Sequence, residues 1–142
     1  MMRSPTLGVS ACLFRADSVL LVERARPPFQ GLLSLPGGRV EWGERIETAV
    51  AREVEEETGL AIPRFAFYCL HEAIEPDVHA VIAVHRAAEA VAPGVEPVAG
   101  DDARSVRFVE IAALPGLAAA GRLTAGLAEI VAGAHRDHLL GL

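Results

Sequence analysis

The chain has 142 residues, just over half of them hydrophobic (51%), with 19 acidic against 13 basic side chains and a net charge of -6. That length suits one domain with a core of its own, and the acidic balance argues against a nucleic-acid backbone as partner but not against a small nucleotide, whose diphosphate bound cations and a few arginines can neutralise. No uncharged apolar stretch reaches the ~18 residues of a membrane span, the N-terminal segment lacks a signal-peptide organisation, and Cys12 and Cys69 read as buried thiols in strand-like contexts, so a reduced, cytoplasmic setting is expected.

The first apolar runs, Leu7 to Phe14 and Ser18 to Glu23, flank Arg15-Ala16-Asp17 and predict a hairpin. Residues 24–31 read as a loop carrying Pro27 and Pro28, where Arg24 and Arg26 either reach a phosphate or face water. Leu32 to Leu35 then runs into Pro36-Gly37-Gly38, which reads as a strand entering a tight loop. Two glycines let the backbone come close to a ligand, and a carbonyl there can join a metal shell. A helix is expected to start near Trp42 to Glu44 and to end at Gly59 as its C-terminal cap.

Beyond it, Ile62 to Ile74 and Val78 to Arg86 are strand candidates joined around Glu75-Pro76-Asp77. Residues 87–103 form a long loop with Pro93, Gly94, Pro97 and Gly100, followed by a last strand from Ser105 to Val109. Thr124 to His138 places Leu127, Ile130, Val131 and Ala134 at the spacing of an amphipathic helix. Strands mixed with two helices indicate a single α/β (α+β) domain over residues 1–142.

The first of those helices carries the chemistry. On its wheel Ile46, Ala49 and Val50 fall within about 60° of Glu53, and so do Glu56 and Glu57. The stripe that begins apolar therefore ends as carboxylate, near the helix end where the macrodipole disfavours negative charge. Like charges at this spacing repel, and burial raises the cost. A divalent cation removes the conflict, and an all-oxygen set selects Mg²⁺, Mn²⁺ or Ca²⁺ over zinc. Glu55, on the opposite side of the wheel, reads as solvated.

These residues carry a resemblance. Gly38, Glu44, Arg52, Glu53, Val54, Glu56, Glu57, Gly59 and Leu60 match every fixed position of the Nudix box, G-x5-E-x7-R-E-U-x-E-E-x-G-U with U aliphatic. The chain thus resembles the Nudix hydrolases, which implies a mixed β-sheet sandwiched between helices and cleavage of a diphosphate linkage in a nucleoside diphosphate derivative. The resemblance further implies that Glu53, Glu56 and Glu57 bind Mg²⁺, for which Mn²⁺ can substitute, with Glu56 or Glu57 taking a proton from water. Arg52 would orient a glutamate by ion pairing and Glu44 would support the helix. Gly38 joins the expected metal set through its carbonyl, with Gly37 beside it.

Many such enzymes also use an acidic residue on the loop before the last strand. Here that loop offers Glu96, Asp101 and Asp102, with position favouring the aspartates; an exposed pair opening a turn is an equal alternative. Trp42 is expected to pack at the helix start rather than stack on a base. Pro76 follows the box at a spacing that resembles a proline marker of ADP-ribose pyrophosphatases, though a hairpin proline explains it equally. ADP-ribose or a nucleotide sugar is the preferred substrate. Cleavage of oxidised nucleoside triphosphates is the alternative, and a non-catalytic nucleotide sensor is an alternative of another class. A homodimer is left open by the alanine-rich surface.

Overall fold

The computed structural model describes residues 3–100 and 102–142. Two four-stranded sheets form the centre of the molecule. The first has the order β5 (Gly37–Arg39), β1 (Thr6–Cys12), β7 (Val78–Ala87), β6 (Phe65–Glu75). It is mixed, since β1 and β7 run parallel while β5–β1 and β6–β7 are antiparallel pairs. In the second, β3 (Ser18–Arg24) pairs antiparallel with β2 (Phe14–Arg15), β4 (Leu33–Ser34) and β8 (Ala103–Glu110). Among the described residues three α-helices complete the fold: α1 (Ile46–Thr58), a short α2 (Leu114–Ala119) and α3 (Leu127–Leu140).

Alternation along the strands builds two cores. Val9, Ala11 and Leu13 pack with Ala49, Val50 and Val54 of α1, whereas Cys12 and Phe14 pack with Leu127, Val131 and Ala134 of α3. The same switch recurs within β3, where Leu20 joins the α1 side and Val19 and Leu21 the α3 side. Period-two side-chain placement thus delivers apolar groups to helices on both faces. Burial in the α3-side core pushes the Cys12 thiol up to about 12, and both cysteines are free.

Four details differ from the sequence reading. The hairpin around Ala16-Asp17 joins only Phe14–Arg15 to Ser18–Val19, because β1 ends at Cys12 and the chain passes from one sheet to the other at Leu13. The Gly37-Gly38 pair lies within β5, on the edge of the first sheet, and not in a tight loop. The helix starts at Ile46, later than expected, because Trp42 and Gly43 form a turn in which Glu44 N–H donates to the Glu41 carbonyl at 3.0 Å and Gly43 takes φ +80. The short α2 was not anticipated; Pro115 near its start and the small residues that follow carry little periodicity. Gly59 does cap α1, at φ 74, with its N–H donating to the Glu55 carbonyl. No described helix is long and apolar enough to cross a membrane.

Leu20 and Leu21 are both fully buried and serve opposite cores. Leu20→Ala and Leu21→Ala should each destabilise the protein by about 2–5 kcal/mol. The double variant should lose close to the sum in urea unfolding, because the two side chains belong to separate buried clusters; strong non-additivity would contradict two separate cores.

Candidate active site

The site lies where α1 meets the β5 edge. A Cβ built on Gly38 would collide with the Glu53 carboxylate, and one on Gly37 with the backbone of Val9 and Ser10. The missing side chain at Gly38 is therefore what allows the Glu53 carboxylate to reach the strand, and that at Gly37 what lets β5 lie close against β1. Gly37 N–H donates to Glu57 Oε1 at 2.7 Å. In the β1–β5 register Val40 N–H donates to the Leu7 carbonyl and Ala11 N–H to the Pro36 carbonyl, which puts the Val9–Gly38 pair among the hydrogen-bonded ones. The backbone of Gly38 is thus turned toward β1, and that of Gly37 toward the glutamates.

Arg52 organises the cluster. Its Nε and Nη2 donate to the two Glu44 oxygens at 2.8 and 2.9 Å, a bidentate pair. Nη1 donates to Glu53 Oε1 at 2.7 Å and to Glu56 Oε2 at 3.3 Å, and Nη2 also reaches the Arg39 carbonyl at 3.0 Å. The Arg52 hydrogen bonds, helped by the Glu41 N–H, hold the Glu44 carboxyl down at about 2. The same bonds, that to Glu44 foremost, raise Arg52 above the usual arginine range.

Of the three helix carboxylates, Glu53 and Glu57 are drawn against the strand while Glu56 stands at the rim. The Glu53 side chain is 16% exposed and that of Glu56 59%. Burial pushes the Glu53 carboxyl up, against the pull of Arg52. Burial pushes Glu57 up to about 7, opposed by the Gly37 N–H and by Arg24 and reinforced by Glu53 and Asp102. Among the described residues no three His, Cys, Asp or Glu side chains converge as a ready cage, since Arg52 Nη1 bridges Glu53 and Glu56. The donor chemistry still fits a hard divalent cation: the set is all oxygen, and the missing side chains of β5 let Glu53 lie against Gly38 while Glu57 meets the Gly37 N–H.

The flanking candidates divide. Arg24 is drawn in: its Nε donates to the Pro28 carbonyl at 2.9 Å and its charge acts on Glu57. Arg26 is turned outward and pairs with Asp102 at 3.4 Å. Asp102 acts on Glu57 as a neighbouring charge, whereas Glu96 lies 3.9 Å from Arg15 on the β2–β3 hairpin. Asp101 lies outside the described residues. Trp42 does not pack at the helix start; it is fully exposed. Pro76 occupies the turn between β6 and β7.

A cleft of about 770 Å³ opens beside the glycine strand, lined by Arg24, Phe29, Ser34, Gly37, His71 and Thr124 among others. Its walls come from β1, β5, β6, β7 and the start of α3, residues far apart in the chain and without a shared motif. Of the lining residues, Arg24, Gly37, Gly38 and Pro76 stand out in the sequence. No spacing signal marks Phe29, Ser34, His71 or Thr124.

Residues 4–132 match the NUDIX domain family. The chain is 36% identical over 115 residues to an ADP-ribose pyrophosphatase of Methanocaldococcus jannaschii, a match covering 80% of this chain and 67% of that protein. It is 48% identical over 48 residues to the human 8-oxo-dGDP phosphatase NUDT18, covering 34% of this chain and 15% of that one. Among solved structures, a MutT NUDIX hydrolase from Burkholderia pseudomallei superposes with a TM-score of 0.78 at 31% identity, over 92% of this chain and 98% of the other. A bifunctional NMN adenylyltransferase/ADP ribose pyrophosphatase from Francisella tularensis, complexed with AMP and a Mn ion, superposes with a TM-score of 0.75 at 25% identity, over 96% of this chain and 43% of the other.

The Glu57 carboxyl titrates near 7 in the folded protein against an ordinary 4.5. Between those values the folded state holds more protons than the unfolded one, so the stability from this group is full below about pH 4.5 and declines as pH rises to about 7. In chelator-treated protein, Glu57→Gln should melt close to wild type at pH 5 and above it at pH 8. Equal melting temperatures at both pH values would contradict a buried, proton-holding carboxylate.

Proposed function

The chain belongs to the Nudix family, and from that premise we propose a Mg²⁺-dependent hydrolase that cleaves the diphosphate linkage of a nucleoside diphosphate derivative, with ADP-ribose or a nucleotide sugar preferred. The observation that carries the reading is the placement of Glu53 and Glu57 against Gly37 and Gly38, at the edge of a cleft of about 770 Å³. Pockets of that size hold nucleotide-sized ligands. The Mn ion of the Francisella tularensis structure supports a divalent cation.

Glu53, Glu56 and Glu57 would hold the cation, with Glu56 released from its longer contact to Arg52. Gly37, whose backbone faces the glutamates, is better placed than Gly38 to offer a carbonyl. When bound, the cation supplies Lewis acidity to a phosphoryl oxygen and lowers the pKa of water. The chain's own residues set the stage. Arg52 keeps Glu44 ionised and holds Glu53 in one orientation, and the Gly37 N–H fixes Glu57. Arg24, at the cleft wall, would take a phosphate oxygen. Glu56 or Glu57 would receive the proton of the attacking water. Asp102 would add a charge beside Glu57, and Asp101 shares its loop.

The 36% identity with the Methanocaldococcus jannaschii ADP-ribose pyrophosphatase supports the substrate preference. A second reading, an oxidised nucleoside phosphate, is supported by the shorter match to NUDT18. Retention of every box glutamate favours catalysis over nucleotide sensing without cleavage. A single domain in a reducing cytoplasm completes the proposal, supported by the two free cysteines.

Hydrolysis with Mg²⁺ of ADP-ribose, NADH, diadenosine polyphosphates and normal and oxidised dNTPs, read by product mass, should give AMP and ribose 5-phosphate from ADP-ribose as the fastest reaction. Glu53→Gln and Glu57→Gln should each lower kcat at least ~100-fold with circular dichroism unchanged. Full activity in both variants would refute the assignment.

A further inference from the structure

We propose that the face of the first sheet beside α1 is a homodimer interface in which Trp42 of each chain enters a groove of the other. The pairing register sets three rows of side chains on this face: Leu7–Val81–Glu72, Val9–Ala83–Leu70 and Ala11–His85–Phe67. Val9 and Ala83 belong to the α1 core, but the rows run past the helix. Leu7 (44%), Phe67 (59%) and Leu70 (63%) are left exposed, with Ile46 (37%) at the helix start and Trp42 (104%) on the turn before it. These five side chains present roughly 600 Å² of apolar surface, at the upper end of the largest patch on an ordinary monomer and close to the ~800 Å² per partner of a standard interface.

Trp42 is presented rather than merely exposed. Its turn is closed from both ends, by Glu44 N–H on the Glu41 carbonyl and Glu41 N–H on Glu44 Oε1, each at 3.0 Å, and Glu44 is in turn clamped by Arg52. A large aromatic on a rigid turn is a low-entropy anchor. Trp42 does not line the cleft, and Glu56 and Glu57 sit at the other end of α1.

The socket lies on the same face. A groove of about 370 Å³ is lined by Glu47, Ile62, Phe65, Phe67 and His85 among others. The buried His85 ring meets Phe67 edge-on at 5.6 Å and Phe65 at 6.5 Å and so props the exposed Phe67 ring, whose surface is left for an indole, and the Glu47 carboxylate can accept the indole N–H. A two-fold interface requires plug and socket on one self-complementary patch. Trp42 and Glu47 flank the start of α1 and meet that requirement.

The chain has one tryptophan, so its fluorescence reports on this contact alone. Sedimentation velocity across a nanomolar-to-micromolar series should show a monomer–dimer equilibrium. Trp42 emission should shift to the blue and lose iodide quenching over the same range. Trp42→Ala and Phe67→Glu, both at exposed positions, should each weaken dimerisation at least ~10-fold with unchanged circular dichroism. A monomer at all concentrations would overturn the proposal, as would a dimer indifferent to both substitutions. Neither readout depends on hydrolysis, so the outcome is independent of the proposed activity.

Discussion

The close approach of α1 to the β5 edge is the constraint on which the site depends. A carboxylate on a helix reaches a neighbouring strand only if that strand has nothing standing between them, and Gly38 supplies that gap for Glu53 while Gly37 keeps the strand close to β1. Because the gap lies on an edge strand, the Gly37 N–H is left unused by the ladder and is free to donate to Glu57. One geometric requirement therefore fixes residue type, strand position and hydrogen-bond partner together.

Bringing negative charge to that edge is costly, and the surrounding structure offsets it in two places. Arg52 takes Glu44, Glu53 and Glu56 onto one guanidinium and anchors it to the Arg39 carbonyl. At the helix end, where the dipole would repel carboxylates, backbone donors arrive from the long loop: Val98 N–H on the Thr58 carbonyl at 2.8 Å and Gly100 N–H on that of Glu57 at 3.1 Å. That loop is held to the hairpin by Arg15, which donates to the Val95 carbonyl at 3.1 Å and stacks on Phe108. The loop so pinned leads directly to Asp102, whose charge acts on Glu57. Against its burial Glu57 has the Gly37 N–H and the charge of Arg24, and these leave its carboxyl raised.

The parts of this arrangement that are local in sequence were legible in it. The Glu53, Glu56, Glu57 spacing, the Gly59 cap and the strands on either side of Pro76-Asp77 all follow from periodicity within a few residues. The wheel, however, placed Glu56 with Glu53 and Glu57, and the structure separates it, because the strand that divides buried from exposed carboxylates approaches from one side only. Gly37-Gly38 reads differently for a related reason: glycines signal a turn when read locally, and here they mark close contacts with elements distant in sequence, Gly37 with β1 and Gly38 with Glu53 of α1. The Leu7–Phe14 run looked like one arm of a hairpin, since an apolar run does not reveal a change of sheet at Leu13.

The division between legible and illegible follows the chemistry. Breaking a diphosphate demands charge at fixed separations, and a helix supplies those from adjacent residues, so the requirement leaves a motif. Recognising what is attached to the diphosphate demands only a surface of the right shape. Ser34 of β4, His71 of β6 and Thr124 before α3 line the cleft proposed for that role, and each is unremarkable among its own neighbours. The proposed dimer face shares this property. Leu7, Phe67 and Leu70 are ordinary strand residues until the register shows that they pass beyond the cover of α1, and Trp42 becomes informative only when it is found outside the core that its size would suggest.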